Sequence, residues 1–426
     1  MKEEFFHHLW KYKLFEIQEL KTVCGQNLQI DKVGEHNTDS GPDFFNAKLQ
    51  IGDVYWAGNV EIHIHSSDWY LHKHQYDKAY DNVVLHVVYN YDKPVIRSSG
   101  EILPTLELKG KFDQKLFLKY DSMMSNLLWI PCQEHFLKIE DFIKQAWLER
   151  LLFERLERKT NQIRNELLKN NNNWEETLYF FLARSFGFNI NAEPFELLAK
   201  SIPYACLLKH KNSLFQIQAI LFGQAGFLEA DFIDDYPKKL QAEYSFLKSK
   251  FNLTPINVHL WKFLRLRPSN FPTIRIAQFA CFIYSNQNVF SKILDINSID
   301  QAYSMFDLSA EGYWKTHYSF DLVSKEMDKK MGKKSTDIIL INAVIPFLFL
   351  YGKVNDEAKF QQLAIDFFEQ IDSERNNIVL KWQEMGLLSR SAFQSQSLLE
   401  LKTQYCNAKK CLTCSIGINI LKKDSL

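Results

Sequence analysis

The sequence predicts an α+β protein in which a small αβββαβ domain precedes a large, mainly α-helical region. Helical and strand periods alternate over the first ninety or so residues, whereas from about Lys138 onward the helical period dominates. Between them, the run VVLHVVY at residues 83–89 has the length and β-branched content of a strand buried on both faces.

Residues 3–16 place Phe5, Phe6, Leu9, Trp10 and Leu14 at helical spacing, and residues 28–33 read as a strand. The polar stretch GEHNTDSGPD comes next at 34–43, with Gly41-Pro42 as its clearest break. Strands at 45–51 and 54–65 flank a hairpin turn at Gly52-Asp53. Residues 68–80 read as a helix, so the order is helix, three strands, helix, strand. After Pro94 the pattern weakens, and 100–112 is expected to add a strand or hairpin.

Residues 139–168 form one long predicted helix, with Arg150, Glu154 and Arg158 at four-residue spacing on an exposed face. Asn170–Asn173 is read as a loop, and Trp174-Glu175-Glu176 opens the next helix. Prolines at 194, 203, 237, 255, 268 and 272 punctuate the first part of the helical region. No fixed-period repeat is evident, which argues against a solenoid. The chain is therefore divided into an α/β domain at 1–112, a connector at 113–137, a helical domain at 138–404 and a cysteine-bearing end at 405–426.

Composition narrows the function classes. The 51 basic residues balance 51 acidic ones among 426, which argues against bulk electrostatic adhesion to nucleic acid while leaving room for a local basic groove. The start MKEEFFHHLWKYKLF lacks the pattern of a signal peptide. The most apolar run, IILINAVIPFLFLY at 338–351, is short for a bilayer span and contains Asn342 and Pro346, so a buried helix is expected. These readings imply a soluble cytoplasmic protein without a membrane partner, whose thiols serve metal or redox chemistry rather than disulfides. The 34 Phe, 18 Tyr and 9 Trp call for large cores or stacking sites.

The chemistry concentrates in the first domain. Strand side chains alternate, so Glu61, His63 and His65 share one face while Val60, Ile62 and Ile64 share the other, apolar one. A carboxylate and two imidazoles in a row are costly on a covered strand unless they bind something. Asp43 and Glu61, meeting across a hairpin, are candidate ligands for a hard cation such as Mg²⁺ or Mn²⁺. Such an ion polarises a phosphate and acidifies an attacking water. The bland alternative is a turn-capping Asp43, a Glu61 paired with lysine, and histidines satisfied by buried hydrogen bonds.

The element order and the Pro42-Asp43 … Glu61-x-His63 spacing resemble the PD-(D/E)XK nuclease superfamily, with its restriction-endonuclease-like fold. The resemblance implies a metal-dependent phosphodiester hydrolase acting on nucleic acid, with Asp43 and Glu61 as metal-binding carboxylates and Glu35 as an additional acid. Histidine stands at position 63 where the superfamily carries lysine, and His65 is a second residue for the same role. The segments GPDFFNAKLQI, WAGNVEIHIHSSDW, AYDNVVLHVVY, LFGQAGFL, RPSNFPTIRIAQ and YCNAKKCLTCSIG resemble, more narrowly, the bacterial domain-of-unknown-function family 2851. That narrower resemblance implies no activity.

Eight of the twelve histidines lie in the first ninety residues, at 7, 8, 36, 63, 65, 72, 74 and 86. Such crowding equally suits zinc. His86, inside VVLHVVY, reads as a satisfied core histidine. His72 and His74 are read either as phosphate contacts or as an exposed helix start.

Cys406, Cys411 and Cys414 form C-x4-C-x2-C beside Lys409 and Lys410, and Cys132 is the best candidate for a fourth ligand to zinc or an iron–sulfur cluster. Three partly buried thiols are the alternative; Cys24, Cys206 and Cys281 read as core. Arg265, Arg267 and Arg275, among aromatics at 261–275, are read as substrate contacts or as helix-end stitching. Gly223 and Gly226 are read as permitting close packing or a turn. Beside the nuclease reading stand a nuclease-fold module that binds nucleic acid without cutting it and a zinc-dependent hydrolase of a small substrate.

Overall fold

A computed structural model describes residues 1–422 apart from Thr38 and Ser98. Thr38, in the turn-rich stretch, and the last four residues of the cysteine-bearing end thus lie outside the described residues. The architecture is α+β, and the chain forms two compact units, Met1–Trp147 with Leu401–Leu426, and Leu148–Glu400. The first unit takes in both the stretch read as a connector and the cysteine-bearing end.

The first unit opens with α1 (Glu3–Tyr12), whose Phe5, Phe6, Leu9 and Trp10 are buried and whose acidic first turn suits the helix dipole. It stops short of the expected Glu16 because Lys13 turns left-handed at φ 50° and closes the last carbonyls. Next come β1 (Leu28–Lys32), β2 (Glu35–His36), β3 (Phe44–Ile51) and β4 (Val54–His65). The hairpin turn between β3 and β4 falls at Gly52-Asp53 as expected, with Gly52 at φ 60°.

The strand β5 (Val83–Asn90) runs parallel to β4, and β6 (Thr105–Glu107) parallel to β5. The sheet is therefore mixed, in the order β1-β3-β4-β5-β6, with β2 paired to β3. β2 is an addition to the predicted order, whereas β6 falls within 100–112, where a strand or hairpin was expected. A side chain could not be added at Gly58, where a Cβ would lie 2.4 Å from Val84 Cγ1 and 2.7 Å from Asn82 O as β5 enters the sheet.

The connection from β4 to β5 departs from the expected helix. It is one helical turn, α2 (Asp68–Leu71), followed by two 3₁₀ turns, His74–Tyr76 and Lys78–Tyr80. Lys73 sits between them at φ 64°, a left-handed conformation that ends the helix. Further on are α3 (Gln114–Ser125) and the turn Gln133–Phe136. Lys119 Nζ donates to Ile420 O at 2.9 Å and Lys402 Nζ to Trp129 O at 2.6 Å, which ties the C-terminal residues to this unit.

In the second unit, helices including Leu214–Gln224 and Pro272–Ser285 surround one apolar core. Gly223 packs against the Tyr244 ring, where a Cβ would come within 2.1 Å. Two small β-pairs, Ser309–Ala310 with Lys329–Lys330 and His317–Ser319 with Leu322–Val323, interrupt the helical pattern. Among the described residues, one helix, Lys333–Val354, is long and apolar enough to cross a membrane, yet 72% of its most apolar window is packed inside the protein. Its Asn342 Oδ1 accepts a 2.7 Å hydrogen bond from Lys159 Nζ, so the polar residue in the apolar run is used in the interior.

Arg150 pairs with Glu154 at 2.8 Å, whereas Arg158 turns from that row to Glu400 at 2.6 Å. Arg275 is 4% exposed and donates to Asn270, Gln278 and Ser335. The expectation that it contacts substrate is therefore corrected in favour of internal stitching, because all of its hydrogen-bonding directions point into the fold. Arg265 and Arg267 are exposed.

Candidate metal centre

The cluster is built on consecutive residues of β4. Val60, Glu61, Ile62 and His63 are all buried, so the strand is covered on both faces here rather than alternating between core and solvent. Glu61 is 5% and His63 1% exposed, so neither is a surface group.

The carboxylates are stitched across the β3–β4 hairpin. The Asp43 backbone N–H donates to Glu61 Oε2 at 3.1 Å, and the Ile62 N–H donates to Asp43 Oδ2 at 2.8 Å. His7 on α1 brings Nε2 to 3.3 Å from Asp43 Oδ2. Burial and the nearby Asp43 charge push the Glu61 carboxyl up to about 9. Burial also opposes the charged form of His7, but the contact with Asp43 outweighs it and raises that pKa.

The imidazoles converge on the free side of Glu61. Glu61 Oε1 lies 3.3 Å from His74 Nε2 and 3.6 Å from His63 Nε2. His63 Nε2 is 3.0 Å from His72 Nδ1, and one ring nitrogen from each of His63, His72 and His74 lies within 4.8 Å of the other two. Behind them, His63 Nδ1 meets His86 Nε2 at 2.8 Å. Tyr80 stacks on His74 at 3.8 Å between centroids. Burial, then the neighbouring imidazoles, pushes His63 far below its ordinary value, and burial lowers His74 and takes His86 to about 3. These shifts favour the neutral form of His63, His74 and His86, the form in which imidazole binds a metal.

Local backbone explains the convergence. In a continuous helix, His72 and His74 would lie two positions apart and face different ways. Left-handed Lys73 between them swings both rings onto His63. His72 is exposed, so the cluster opens to solvent on that side.

Of the predicted residues, Asp43, Glu61, His63, His72 and His74 come together. Glu35 does not: its side chain is 70% exposed and pairs with Lys32 at 2.9 Å. His65 is also outside, exposed at the strand end with Nδ1 3.4 Å from Asn90. Both were expected to be catalytic; Glu35 on the short outer strand β2 and His65 at the end of β4 lie outside the cluster. His86 is buried as expected but acts as a prop for His63, and its Nδ1 has no hydrogen bond. Glu3 and His7 were missed. Burial raises the Glu3 carboxyl, and it feels both His72 and Asp43. Their four-residue spacing on one face of α1 was the available signal.

The cysteines form a separate group. Cys132, Cys411 and Cys414 are buried and Cys406 partly so. Cys24, read as core, is exposed, while Cys206 and Cys281 are buried.

Among known protein families, the one described as "Protein of unknown function (DUF2851)" matches residues 3–377. No curated protein and no solved structure matches the chain.

Proposed function

We propose that this chain, which belongs to the DUF2851 family of proteins of unknown function, is a metal-dependent phosphodiester hydrolase. The observation that carries the reading is the convergence of one ring nitrogen each from His63, His72 and His74, with Glu61 Oε1 beside His63 and His74. His74 Nε2 adds a fit test: it is buried and makes no hydrogen bond, although Glu61 Oε1 is 3.3 Å away. An orphaned nitrogen facing a carboxylate is the arrangement a shared cation would resolve.

Glu61, His63, His72 and His74 would hold the ion. Three imidazole nitrogens and one carboxylate oxygen suit manganese or zinc better than the magnesium also expected from sequence. When bound, such an ion polarises a phosphoryl oxygen and acidifies water. His86 fixes the His63 ring from behind, because a ligating Nε2 requires the Nδ1 proton to be donated to His86. Asp43 faces His7 Nε2 and holds that ring at the edge of the cluster. Exposed Lys73, Tyr76 and Lys78 on the same loop offer charge and a stacking ring to a nucleic-acid backbone. The resemblance to PD-(D/E)XK nucleases supports the substrate class: Asp43 directly precedes β3, and Glu61 and His63 lie on the adjoining strand.

The test is cleavage of labelled single- and double-stranded DNA and RNA with Mn²⁺, Zn²⁺ or Mg²⁺, comparing wild type with Glu61→Gln and His74→Ala. Turnover that depends on metal and falls by at least about 100-fold in both folded variants supports the reading. Folded, metal-loaded wild type that binds nucleic acid but cuts none of these substrates would replace it with a binding module.

A further inference from the structure

Cys132, Cys406, Cys411 and Cys414 all belong to the first unit although they come from stretches far apart in sequence. Cys132 precedes the helical turn Gln133–Phe136, Cys406 closes the π-helical turn Leu401–Cys406, and Cys411 and Cys414 flank the turn into helix Ser415–Lys422. Cys132, Cys411 and Cys414 are buried and Cys406 partly so, and hydrogen bonds tie the two stretches that carry them.

The surroundings are built rather than fortuitous. Lys402 Nζ donates to Trp129 O at 2.6 Å and to Asn407 Oδ1 at 2.7 Å, while Lys409 Nζ donates to Met124 O. The two ammonium groups are thereby fixed close to the thiols along the chain, Lys402 four residues before Cys406 and Lys409 two before Cys411. Asn126 Nδ2 holds Pro131 O at 2.8 Å, which fixes the approach to Cys132. On the other side, helix Ser415–Lys422 lies so close that a Cβ at Gly417 would come within 2.3 Å of Cys411 O.

We infer that Cys132, Cys406, Cys411 and Cys414 form a four-thiolate site for a thiophilic metal centre, either a zinc ion or an iron–sulfur cluster, that fastens the C-terminal residues to the N-terminal unit. Protonated thiols are weak hydrogen-bonding groups and gain little by gathering beside two lysines. As thiolates they repel one another unless a cation is shared among them, and then both burial and repulsion are compensated. Binding releases the thiol protons, and Lys402 and Lys409 offset the negative charge that four thiolates leave on the centre. C-x4-C-x2-C with one distant cysteine supplies the four ligands that either centre takes. This site is independent of the histidine cluster.

The test uses the full chain purified without oxygen, with zinc, iron and acid-labile sulfide measured and the visible spectrum recorded. Wild type is compared with Cys132→Ser, Cys414→Ser and His74→Ala. The expected result is a bound centre that both serine variants lose and His74→Ala keeps. Colourless zinc identifies a single ion, and coloured iron with matching sulfide identifies a cluster. The inference is overturned when wild type holds neither after reconstitution with zinc or with ferrous iron and sulfide, or when both serine variants retain the metal. Should the serine variants not fold, alkylation of wild type decides. Four thiols protected until a chelator is added support the site, and thiols equally reactive with and without chelator overturn it.

Discussion

His63 Nδ1 lies 2.8 Å from His86 Nε2, both rings buried, and this contact decides which edge of His63 is left for a ligand. With Nδ1 engaged, only Nε2 faces Glu61, His72 and the solvent side of the cluster. A residue that reads in sequence as ordinary core filling on β5 thereby orients the central imidazole of the site.

His86→Phe keeps most of the volume and removes the partner nitrogen. Metal affinity is expected to fall by about 10- to 100-fold, the usual effect of losing a group that orients a ligand. Competition against a chelator of known affinity measures this. Unchanged affinity would show that His86 only fills space.

Lys73 stands at φ 64°, where a β-branched side chain is strained and glycine is at ease. Lys73→Val is expected to cost about 1–2 kcal/mol and to weaken metal binding by disturbing His72 and His74 together. Lys73→Gly is expected to keep the site intact. Urea unfolding and metal titration of the pair check this, and equal behaviour of the two variants would contradict it.

Glu400 is 3% exposed and accepts from Arg155 at 3.0 Å and Arg158 at 2.6 Å. Burial alone would raise its carboxyl, but the hydrogen bonds from Arg158 and Arg155 outweigh that and hold its pKa below the ordinary value. A carboxyl depressed in the folded state contributes stability that is fully present above its unfolded pKa of about 4.3. That contribution is lost as pH falls through the lower folded pKa. Glu400→Gln should therefore cost about 1–2 kcal/mol near neutrality, chiefly by weakening the pairing of buried Arg155, since solvent compensates the 41% exposed Arg158, and the gap to wild type should narrow below about pH 4. Stability curves for both proteins between neutral and acidic pH check the slope; a constant gap would refute the assignment.

Arg275 donates to three side chains and stacks over Phe188 at 4.4 Å, and burial takes it down to about 10. Arg275→Ala is expected to destabilise by about 2–4 kcal/mol through unpaired buried partners. Exposed Arg267→Ala should stay within about 0.5 kcal/mol. Denaturant midpoints separate the two, and similar values would show that Arg275 carries no structural load.

Much of the first unit was legible because its signals are local. The strand character of β4, the Gly52-Asp53 turn and the apolar run of β5 each depend on a few neighbouring side chains. Asp43, Glu61 and His63 were found the same way, since a hairpin fixes which residues oppose each other. Glu35 and His65 lie apart from the cluster because sequence gives a strand its faces but not where its ends and neighbours fall. His7 and Glu3 escaped notice because α1 meets the sheet only in the folded chain. Cys132 was paired with the C-terminal cysteines by residue type alone, and the structure places all four in the first unit.

The sequence by itself determined the α+β class, the strand register around Asp43 and Glu61, and the buried character of the helix around Asn342. Those features rest on periodicity and turn chemistry within a dozen residues. Tertiary structure alone decided that one left-handed residue, Lys73, replaces the expected helix and turns His72 and His74 onto His63. It also decided that His86 supports that ring and that Arg275 is internal. The physical reason is that convergence of side chains depends on where separate elements pack, and packing is a property of the whole core rather than of any local run.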